Sequence, residues 1–230
     1  MRDHGSVSHR YAIGDVHGCL LTLREMVEVR LGLGKHDLLV MMGDYVDRGP
    51  DSKGVLDYLA SLQQDGYNVV ILRGNHDDMI VRARFSGLWE ASCLRNGGDA
   101  TLRSFGVERH RDIPVEYCDM IDRMPLIHLE PDFVLVHASL NTIALDPFTD
   151  YHSMLFAREE IIKYYPLHGR RLVCGHTPQT QQEIRWRIDE DRKIIVDAGC
   201  VYNDREGRGW LCTLNLDTME TIFQRNIDAR

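Results

Sequence analysis

The sequence predicts an α/β fold in which two mixed β-sheets pack against each other as a sandwich, flanked by helices. Three observations lead to this prediction. Short buried-strand patterns alternate with helical stripes from residue 10 to residue 72. Short alternating strands separated by turn residues dominate the chain from residue 184 onwards. Polar side chains directly follow several of the predicted strands, as is typical of ligand-binding α/β sheets.

The first part of the chain predicts a βαβαβ unit. Its strands are the short apolar runs Arg10–Ile13, Asp37–Met42 and Asn68–Leu72. Helices are predicted between them at Leu20–Leu31 and Asp51–Gln64, because apolar residues recur there at helical spacing. Such a unit favours a parallel sheet with right-handed crossovers.

The rest of the chain predicts a helical insert followed by further strands. Residues from about 79 to 122 should be mostly helical, with breaks at Asn96-Gly97-Gly98 and at Pro114, and Tyr151–Tyr165 should form a helix or a helix with a loop. The predicted strands are Phe133–Val136, Arg171–Cys174, Ile184–Ile188, Lys193–Val196, Trp210–Leu216 and Glu220–Gln224. No repeat, linker or block of like charge interrupts the chain, so residues 1–230 are expected to form a single domain.

Composition limits the classes of protein to which the chain can belong. With 230 residues, 43% of them hydrophobic and 27% charged, it has the composition of a globular domain. Its net charge of −8 disfavours binding to nucleic acid or to an anionic membrane. No apolar run reaches the roughly 18 residues of a membrane helix. The polar first ten residues and six scattered cysteines without a C-x-x-C pair lead us to expect a cytoplasmic protein.

Polar residues of one chemical kind follow the predicted strands. They are Asp15, His17, Asp44, Asn75, His137 and His176. Because ligands collect at the carboxyl ends of strands in open α/β sheets, these side chains can converge. Carboxylate, imidazole and amide ligands together suit divalent ions such as Mn²⁺, Fe or Zn²⁺. Six ligands are too many for one tetrahedral site, but they are the right number for two metal ions that share a bridging carboxylate.

Three motifs identify a family resemblance. They are Gly14-Asp15-Val16-His17-Gly18, Gly43-Asp44-Tyr45-Val46-Asp47-Arg48-Gly49 and Gly74-Asn75-His76-Asp77. They strongly resemble the signature motifs of the PPP-type metallophosphoesterases in the calcineurin-like superfamily, and the chain looks closest to the small bacterial and bacteriophage lambda-type branch. The chain departs from the family pattern at two places that are not expected to hold metal: Asp77 stands where Glu is typical, and Ala138-Ser139 follows His137 instead of two glycines.

The resemblance implies a role for each site residue. One metal ion, with Mn²⁺ expected first and Fe or Zn²⁺ as alternatives, would take Asp15, His17 and Asp44. A second would take Asp44, Asn75, His137 and His176, so that Asp44 bridges the two. A hydroxide held between the metals would attack phosphorus directly and in line. Arg48, Arg73 and Arg158 would bind the phosphoryl oxygens, while His76 would protonate the leaving oxygen and Asp47 would orient its imidazole.

We expect the chain to be a serine/threonine phosphoprotein phosphatase that acts on phosphorylated proteins. The fold leaves little chain for a deep enclosure, and the aromatic content of the helical insert is modest: Phe85, Trp89, Phe105 and Tyr117. Two alternatives stay open. One is hydrolysis of symmetrical dinucleoside tetraphosphates (Ap4A) or of another small phosphoester. The other is a catalytically inactive binding module, which the presence of every expected ligand disfavours.

Overall fold

The computed structural model describes residues 8–158, 167–190 and 193–228. The described residues contain short strands, which are numbered here in chain order. They are β1 (Arg10–Ile13), β2 (Leu38–Met41), β3 (Asn68–Ile71), β4 (Ile127–Leu129), β5 (Phe133–Val136), β6 (Arg171–Cys174), β7 (Lys193–Ile195), β8 (Trp210–Asn215) and β9 (Thr221–Arg225).

These strands form two mixed sheets. The first has the order β3-β2-β1-β8-β9, in which β1, β2 and β3 are parallel and β8 runs antiparallel to both β1 and β9. The second has the order β4-β5-β6-β7, in which only β4 is antiparallel to its neighbour. The predicted βαβαβ unit therefore supplies three of the five strands of the first sheet.

The two sheets face each other across a shared apolar core. Ala12 and Val40 of the first sheet belong to the same buried cluster as Leu135, Val173 and Ile194 of the second. The opposite face of the first sheet packs against helices. Its residues there share a second cluster with residues of the first two helices: Ile13, Leu39, Met41, Leu23, Val55 and Leu59. The predicted sandwich of two mixed sheets flanked by helices is confirmed.

Eight α-helices lie in the described residues. They are α1 (Leu20–Arg24), α2 (Ser52–Gln64), α3 (Asn75–Ala83), α4 (Gly87–Arg95), α5 (Gly98–Phe105), α6 (Val115–Asp122), α7 (Tyr151–Phe156) and α8 (Gln181–Glu190). The α1 helix continues as a π-helical segment, Glu25–Leu31. Helices α3 to α6 fill the predicted helical insert, and its predicted breaks lie where α4 and α6 meet the neighbouring loops. None of the described helices is both long enough and apolar enough to cross a membrane.

The prediction of a strand at Ile184–Ile188 is wrong, because this segment lies inside α8. The apolar residues Ile184, Trp186 and Ile188 alternate like a strand, but Ile184 is fully buried and Trp186 is 58% exposed. A helix places residues four apart on one face, so Ile184 and Ile188 pack on the sandwich core while Trp186 points outwards.

Two further segments differ from the prediction in extent. The edge strand β4 lies between Pro125 and Pro131 and was not predicted, because three residues give no measurable alternation. The helix predicted at Tyr151–Tyr165 is present over Tyr151–Phe156. Residues 159–166 of that prediction lie outside the described residues.

Candidate metal centre and active site

The loops that follow the strands bring the predicted ligands together. Asp15 and His17 follow β1, Asp44 follows β2, and Asn75 begins α3 just after β3. His137 and His176 follow β5 and β6 of the second sheet. All six side chains are buried, none more than 9% exposed. The two sheets thus contribute ligands from their carboxyl ends to one place.

The potential ligand atoms fall into two groups that share Asp44. His17, Asp44 and His76 form one group, and Asp44, His137 and His176 form the other; within each group the ligand atoms lie within 4.8 Å of one another. Asp15 is held beside them, because its carboxylate accepts the backbone N–H of His176 at 3.0 and 3.1 Å. A carboxylate common to both groups is the arrangement that a bridging ligand requires.

The predicted site residues themselves make the sharp turns of these loops. Those with a left-handed backbone are His17, Asp44, Asp47, Arg48 and His176, with φ between 48° and 71°. This conformation costs a residue with a side chain about 1–2 kcal/mol. Two glycines that directly precede predicted ligands, Gly74 and Gly175, are needed because other site residues lie very close to them. A Cβ atom on Gly74 would lie 2.3 Å from Asp44 Oδ1, and one on Gly175 would lie 2.1 Å from Asp15 Oδ1.

Backbone carbonyls fix the orientation of two imidazoles. His17 Nδ1 donates to the carbonyl oxygen of Val46 at 2.8 Å, and His137 Nδ1 donates to that of Met42 at 2.8 Å. Burial lowers the pKa of both histidines, that of His17 well below its ordinary value. Each ring is therefore neutral, and its Nε2 lone pair is directed into the site, as metal-ligating histidines require.

The second group brings several potential metal-ligating atoms close together. His137 Nε2 lies 3.0 Å from Asn75 Oδ1 and 3.4 Å from Asp44 Oδ1. His176 Nδ1 lies 2.8 Å from the same Asn75 oxygen, and its buried Nε2 has no hydrogen-bond partner in the part of the chain that the structure describes. Burial, reinforced by His137, lowers the pKa of His176 to about 3. Neutral imidazoles, an amide oxygen and a carboxylate fit a divalent metal ion of the Mn²⁺, Fe or Zn²⁺ kind.

The predicted acid and its partner are in contact. His76 Nδ1 lies 2.7 Å from Asp47 Oδ2, and the backbone N–H of His76 donates to Asp44 Oδ1 at 2.9 Å. Burial alone lowers the pKa of His76, but the carboxylates of Asp44 and Asp47 outweigh it and raise the pKa above its ordinary value. His76 is thus biased towards the protonated form, which a general acid needs.

The predicted phosphate-binding arginines differ in their surroundings. The Arg48 guanidinium bridges two rings, because Nη2 donates to His76 Nε2 at 2.7 Å while Nη1 contacts His17 Nε2. Arg158 donates to Thr177 Oγ1 at 3.2 Å, next to His176. Arg73 instead pairs with Asp78 and Asp122 at 3.3 and 3.4 Å, and among the described residues its hydrogen bonds and ion pairs go to no predicted metal ligand. Arg48 is therefore the arginine placed inside the site.

Two buried carboxylates support the site in ways the sequence analysis missed or left open. Asp77 accepts the backbone N–H groups of Gly74, Asp44 and Tyr45 at 2.8 to 3.0 Å, which ties the third motif to the second. Asp197 follows β7 and lies near Asp15. Burial raises the pKa of both Asp15 and Asp197, and their proximity raises that of Asp15 further. The signal that identified Asp15, a carboxylate just beyond a buried strand, is also present at Asp197.

A recess of about 560 Å³ opens beside Arg48. Pro50, Ala100, Arg103 and Tyr202 line it together with Arg48. The Arg48 guanidinium lies 5.6 Å from the centre of the Tyr202 ring. Arg48 thus separates the ligand groups from a space that is large enough for part of a substrate.

Known proteins that are similar to this chain in sequence indicate the class of reaction to consider. A family model described as calcineurin-like phosphoesterase matches residues 10–191. Serine/threonine-protein phosphatase 1 of Salmonella typhimurium is 33% identical over 84% of this chain and 88% of its own length. The symmetrical bis(5'-nucleosyl)-tetraphosphatase of Nitrosospira multiformis is 32% identical over 56% of this chain, but the match spans only 43% of that enzyme.

The fold is also found in solved structures. A protein serine/threonine phosphatase from Saccharomyces cerevisiae superimposes with a TM-score of 0.65, covering 99% of this chain and 82% of that one. The two sequences are 15% identical, so this likeness concerns the fold alone.

Proposed function

The chain belongs to the calcineurin-like phosphoesterase family, and we propose that it hydrolyses phosphoserine and phosphothreonine in proteins. Family membership confirms the resemblance that its three motifs predict and makes the chain a metallophosphoesterase. One observation carries the proposal: the Arg48 guanidinium contacts both Nε2 of His17, in the first ligand group, and Nε2 of His76, which is paired with Asp47. A phosphoryl group bound by Arg48 is then next to both the metal ligands and a proton donor.

We keep the expected division of the ligands with Asp44 shared, although the first group of ligand atoms in the structure contains His76 and not Asp15. We propose that Asp15 and His17 complete one site and that Asn75, His137 and His176 complete the other, with Mn²⁺ as the preferred ion. When bound, two such ions act as Lewis acids and make water a nucleophile at neutral pH. The remaining work belongs to side chains of this chain.

Two steps are assigned to protein side chains: Arg48 binds the phosphoryl group, and His76 protonates the leaving oxygen. The guanidinium fork matches two phosphoryl oxygens, so a bound phosphoryl group draws Arg48 away from His76 Nε2. The freed Nε2 no longer accepts from Arg48 and takes up a proton from solvent, which the raised pKa of His76 favours. This proton passes to the leaving oxygen as the bond between phosphorus and that oxygen breaks, while the attacking water loses a proton to solvent and its oxygen becomes the new oxygen on phosphorus. Nδ1 keeps its hydrogen bond to Asp47 throughout, which stabilises the imidazolium before the transfer.

Two observations support a protein substrate. The similarity to the Salmonella phosphatase runs over most of both chains. The aromatic residues of the helical insert do not enclose the site: Phe85 is 85% exposed, Trp89 packs on the Met79 and Cys93 cluster, and Phe105 stacks edge to face on Tyr117. A site without such walls admits a chain segment, and a cytoplasmic phosphoprotein is its expected partner.

One observation favours a second candidate, a dinucleoside tetraphosphate. Tyr202 presents an aromatic ring to the recess beside Arg48, where a nucleobase or ribose could lie. The Tyr202 ring already has the Arg205 guanidinium over it at 4.0 Å, which occupies one stacking face. We therefore keep the dinucleotide as the alternative.

The deciding experiment compares kcat/KM for four substrates in the presence of Mn²⁺. They are a phosphoserine peptide, a phosphothreonine peptide, a phosphotyrosine peptide and diadenosine tetraphosphate. We expect the first two to be the best substrates. A preference for the dinucleotide of about 100-fold, equivalent to about 2.7 kcal/mol of transition-state discrimination, would overturn the proposal in favour of the alternative.

A further inference from the structure

The hydroxyl of Thr101 makes two hydrogen bonds to the same residue, Asp47. Thr101 lies in α5 and is fully buried, as is Asp47. Its Oγ1 accepts the backbone N–H of Asp47 at 2.8 Å and donates to Asp47 Oδ1 at 2.6 Å. The other carboxylate oxygen of Asp47 lies 2.7 Å from His76 Nδ1. Each oxygen of this carboxylate therefore has its own partner.

These two hydrogen bonds fix the position of the Asp47 carboxylate, which is the group that contacts His76. The backbone of Asp47 is left-handed, with φ at 70°, so it needs support from neighbours. A group that binds both the N–H and the carboxylate of one residue restrains its backbone and its side chain together. Ser52 Oγ also accepts the Asp47 N–H, at 3.1 Å, but among the described residues only Thr101 and His76 hydrogen-bond to the carboxylate.

Residues on one face of the helical insert hydrogen-bond to the second motif and to the residues just after it. The carbonyl of Gly97 accepts the backbone N–H of Arg48 at 2.9 Å. Thr101 comes next on the same helical face, and Ser104 follows. Ser104 Oγ accepts the backbone N–H of Lys53 at 2.9 Å and donates to Asp51 Oδ1 at 3.0 Å. The insert thus braces the loop that carries Asp47 and Arg48.

We propose that Thr101 is a positioning residue for the general acid, because its hydroxyl aims the Asp47 carboxylate at His76. The inference rests on the proposed role of His76 in phosphoester hydrolysis. Without the hydroxyl, Asp47 Oδ1 and the Asp47 N–H lose a buried partner, and the carboxylate can turn away from His76. Proton transfer to the leaving oxygen then suffers, whereas the ligand groups around Asp44 keep their contacts.

The test compares two substrates whose leaving groups differ in their need for a proton. A phosphoserine peptide releases an alkoxide and needs the acid, whereas p-nitrophenyl phosphate needs it little. We expect Thr101→Val to lower kcat for the peptide by about 10- to 100-fold and for the aryl phosphate by less than about 3-fold, a fraction of the usual general-acid effect. Thr101→Ser keeps the hydroxyl and should stay within about 3-fold of the parent on both substrates.

The matched control is Ser104→Ala, which removes a hydroxyl from the same face of α5 but leaves Asp47 untouched. It should not change the ratio of the two rates. If Thr101→Val does not fold, Thr101→Ala takes its place with the same expectations. A second measurement uses the Asp47→Asn background, where Thr101→Val should add less than about 3-fold, because residues that act through one another are not additive.

The outcomes separate this inference from the proposed function. Equal losses on both substrates, full activity of Thr101→Val on the peptide, or additive losses with Asp47→Asn would each overturn the role of Thr101. Absence of activity of the parent protein on both substrates with Mn²⁺ would overturn the proposed function itself.

Discussion

Gly74 and Asp44 approach each other so closely that no side chain fits between them. A Cβ atom on Gly74 would lie 2.3 Å from both the backbone nitrogen and Oδ1 of Asp44. The backbone N–H groups of both residues donate to the same oxygen of Asp77, at 2.8 and 2.9 Å. The position of the shared carboxylate therefore depends on the glycine of the neighbouring motif.

Replacing this glycine tests that dependence. Gly74→Ala should displace Asp44 and lower the bound Mn²⁺ below that of the parent, although its φ of −94° suits alanine. Metal content after gel filtration measures the effect, and circular dichroism monitors the fold. Gly87→Ala is the control, because nothing lies within 4 Å of a Cβ there. Two tightly bound Mn²⁺ ions in Gly74→Ala would show that Asp44 tolerates the crowding.

Asp44→Asn tests the shared ligand directly. Because Asp44 belongs to both ligand groups, the substitution should weaken both metal sites. Loss of a residue that only supports a metal ligand typically lowers activity by about 10- to 100-fold, and we expect turnover to fall by more than this. Equilibrium metal titration and steady-state rates provide the readout. Asp132→Asn, which removes a surface carboxylate paired with Arg10, serves as the control. A variant with normal rate and both metals would mean that Asp44 does not bridge.

His76→Asn separates acid catalysis from metal binding. We expect the rate on a phosphoserine peptide to fall by about 10²–10⁴-fold and the loss on p-nitrophenyl phosphate to be smaller. Metal content should not change if His76 acts only as an acid. The structure makes this measurement informative, because the ring of His76 lies in one group with His17 and Asp44. Loss of one metal ion from the variant would identify His76 as a ligand instead.

Asp77→Asn tests the support beneath the second motif. The carboxylate accepts three backbone N–H groups, and an amide has only one oxygen with which to do so. We expect a fall in the free energy of unfolding of about 1–3 kcal/mol, the penalty for an unsatisfied buried group. Urea denaturation measures this change. Asp78→Asn, whose partners are the side chains of Arg73 and Arg82, is the comparison. Equal small effects in the two variants would argue against the support role.

His110 should make stability depend on pH. It is fully buried, and neither ring nitrogen has a hydrogen-bond partner within residues 8–158, 167–190 and 193–228. Burial lowers its pKa below the ordinary value of 6.5. The unfolded chain therefore binds a proton that the folded chain does not, and stability falls as the pH drops below about 6.5. The loss continues until the pH falls through the lowered pKa of the folded state.

The His110→Leu variant isolates this contribution. Its free energy of unfolding should fall less than that of the parent between pH 7.5 and pH 5.5, at the same metal concentration. Parallel pH profiles for the two proteins would exclude His110 as the source.

The sequence predicts a site residue where an apolar run predicts a strand and a polar residue stands directly after it. Asp15 and Asp44 were identified because each follows an apolar run and a glycine, and both strands are present. The segment around Ile184 satisfies a strand and a helix equally by apolar spacing. The deciding signal was a capping box, since Thr180 and Glu183 exchange hydrogen bonds between backbone and side chain at the start of α8.

The role of Thr101 could not be predicted in this way. It lies on an ordinary helix, 54 residues beyond Asp47, and nothing in the local sequence of α5 indicates which loop its buried face will meet. Contacts between distant segments depend on how the insert docks, which only the packed structure specifies.

Five site residues have a left-handed backbone, which lowers the stability of the protein at the positions where its activity is expected. They are His17, Asp44, Asp47, Arg48 and His176. Each of these residues opposes folding by about 1–2 kcal/mol, and glycine at the same position would relieve it. Laboratory selection for heat resistance alone would therefore favour glycine at these five positions, and the selected proteins would be more stable but would lack the proposed metal ligands and the proposed phosphate-binding arginine.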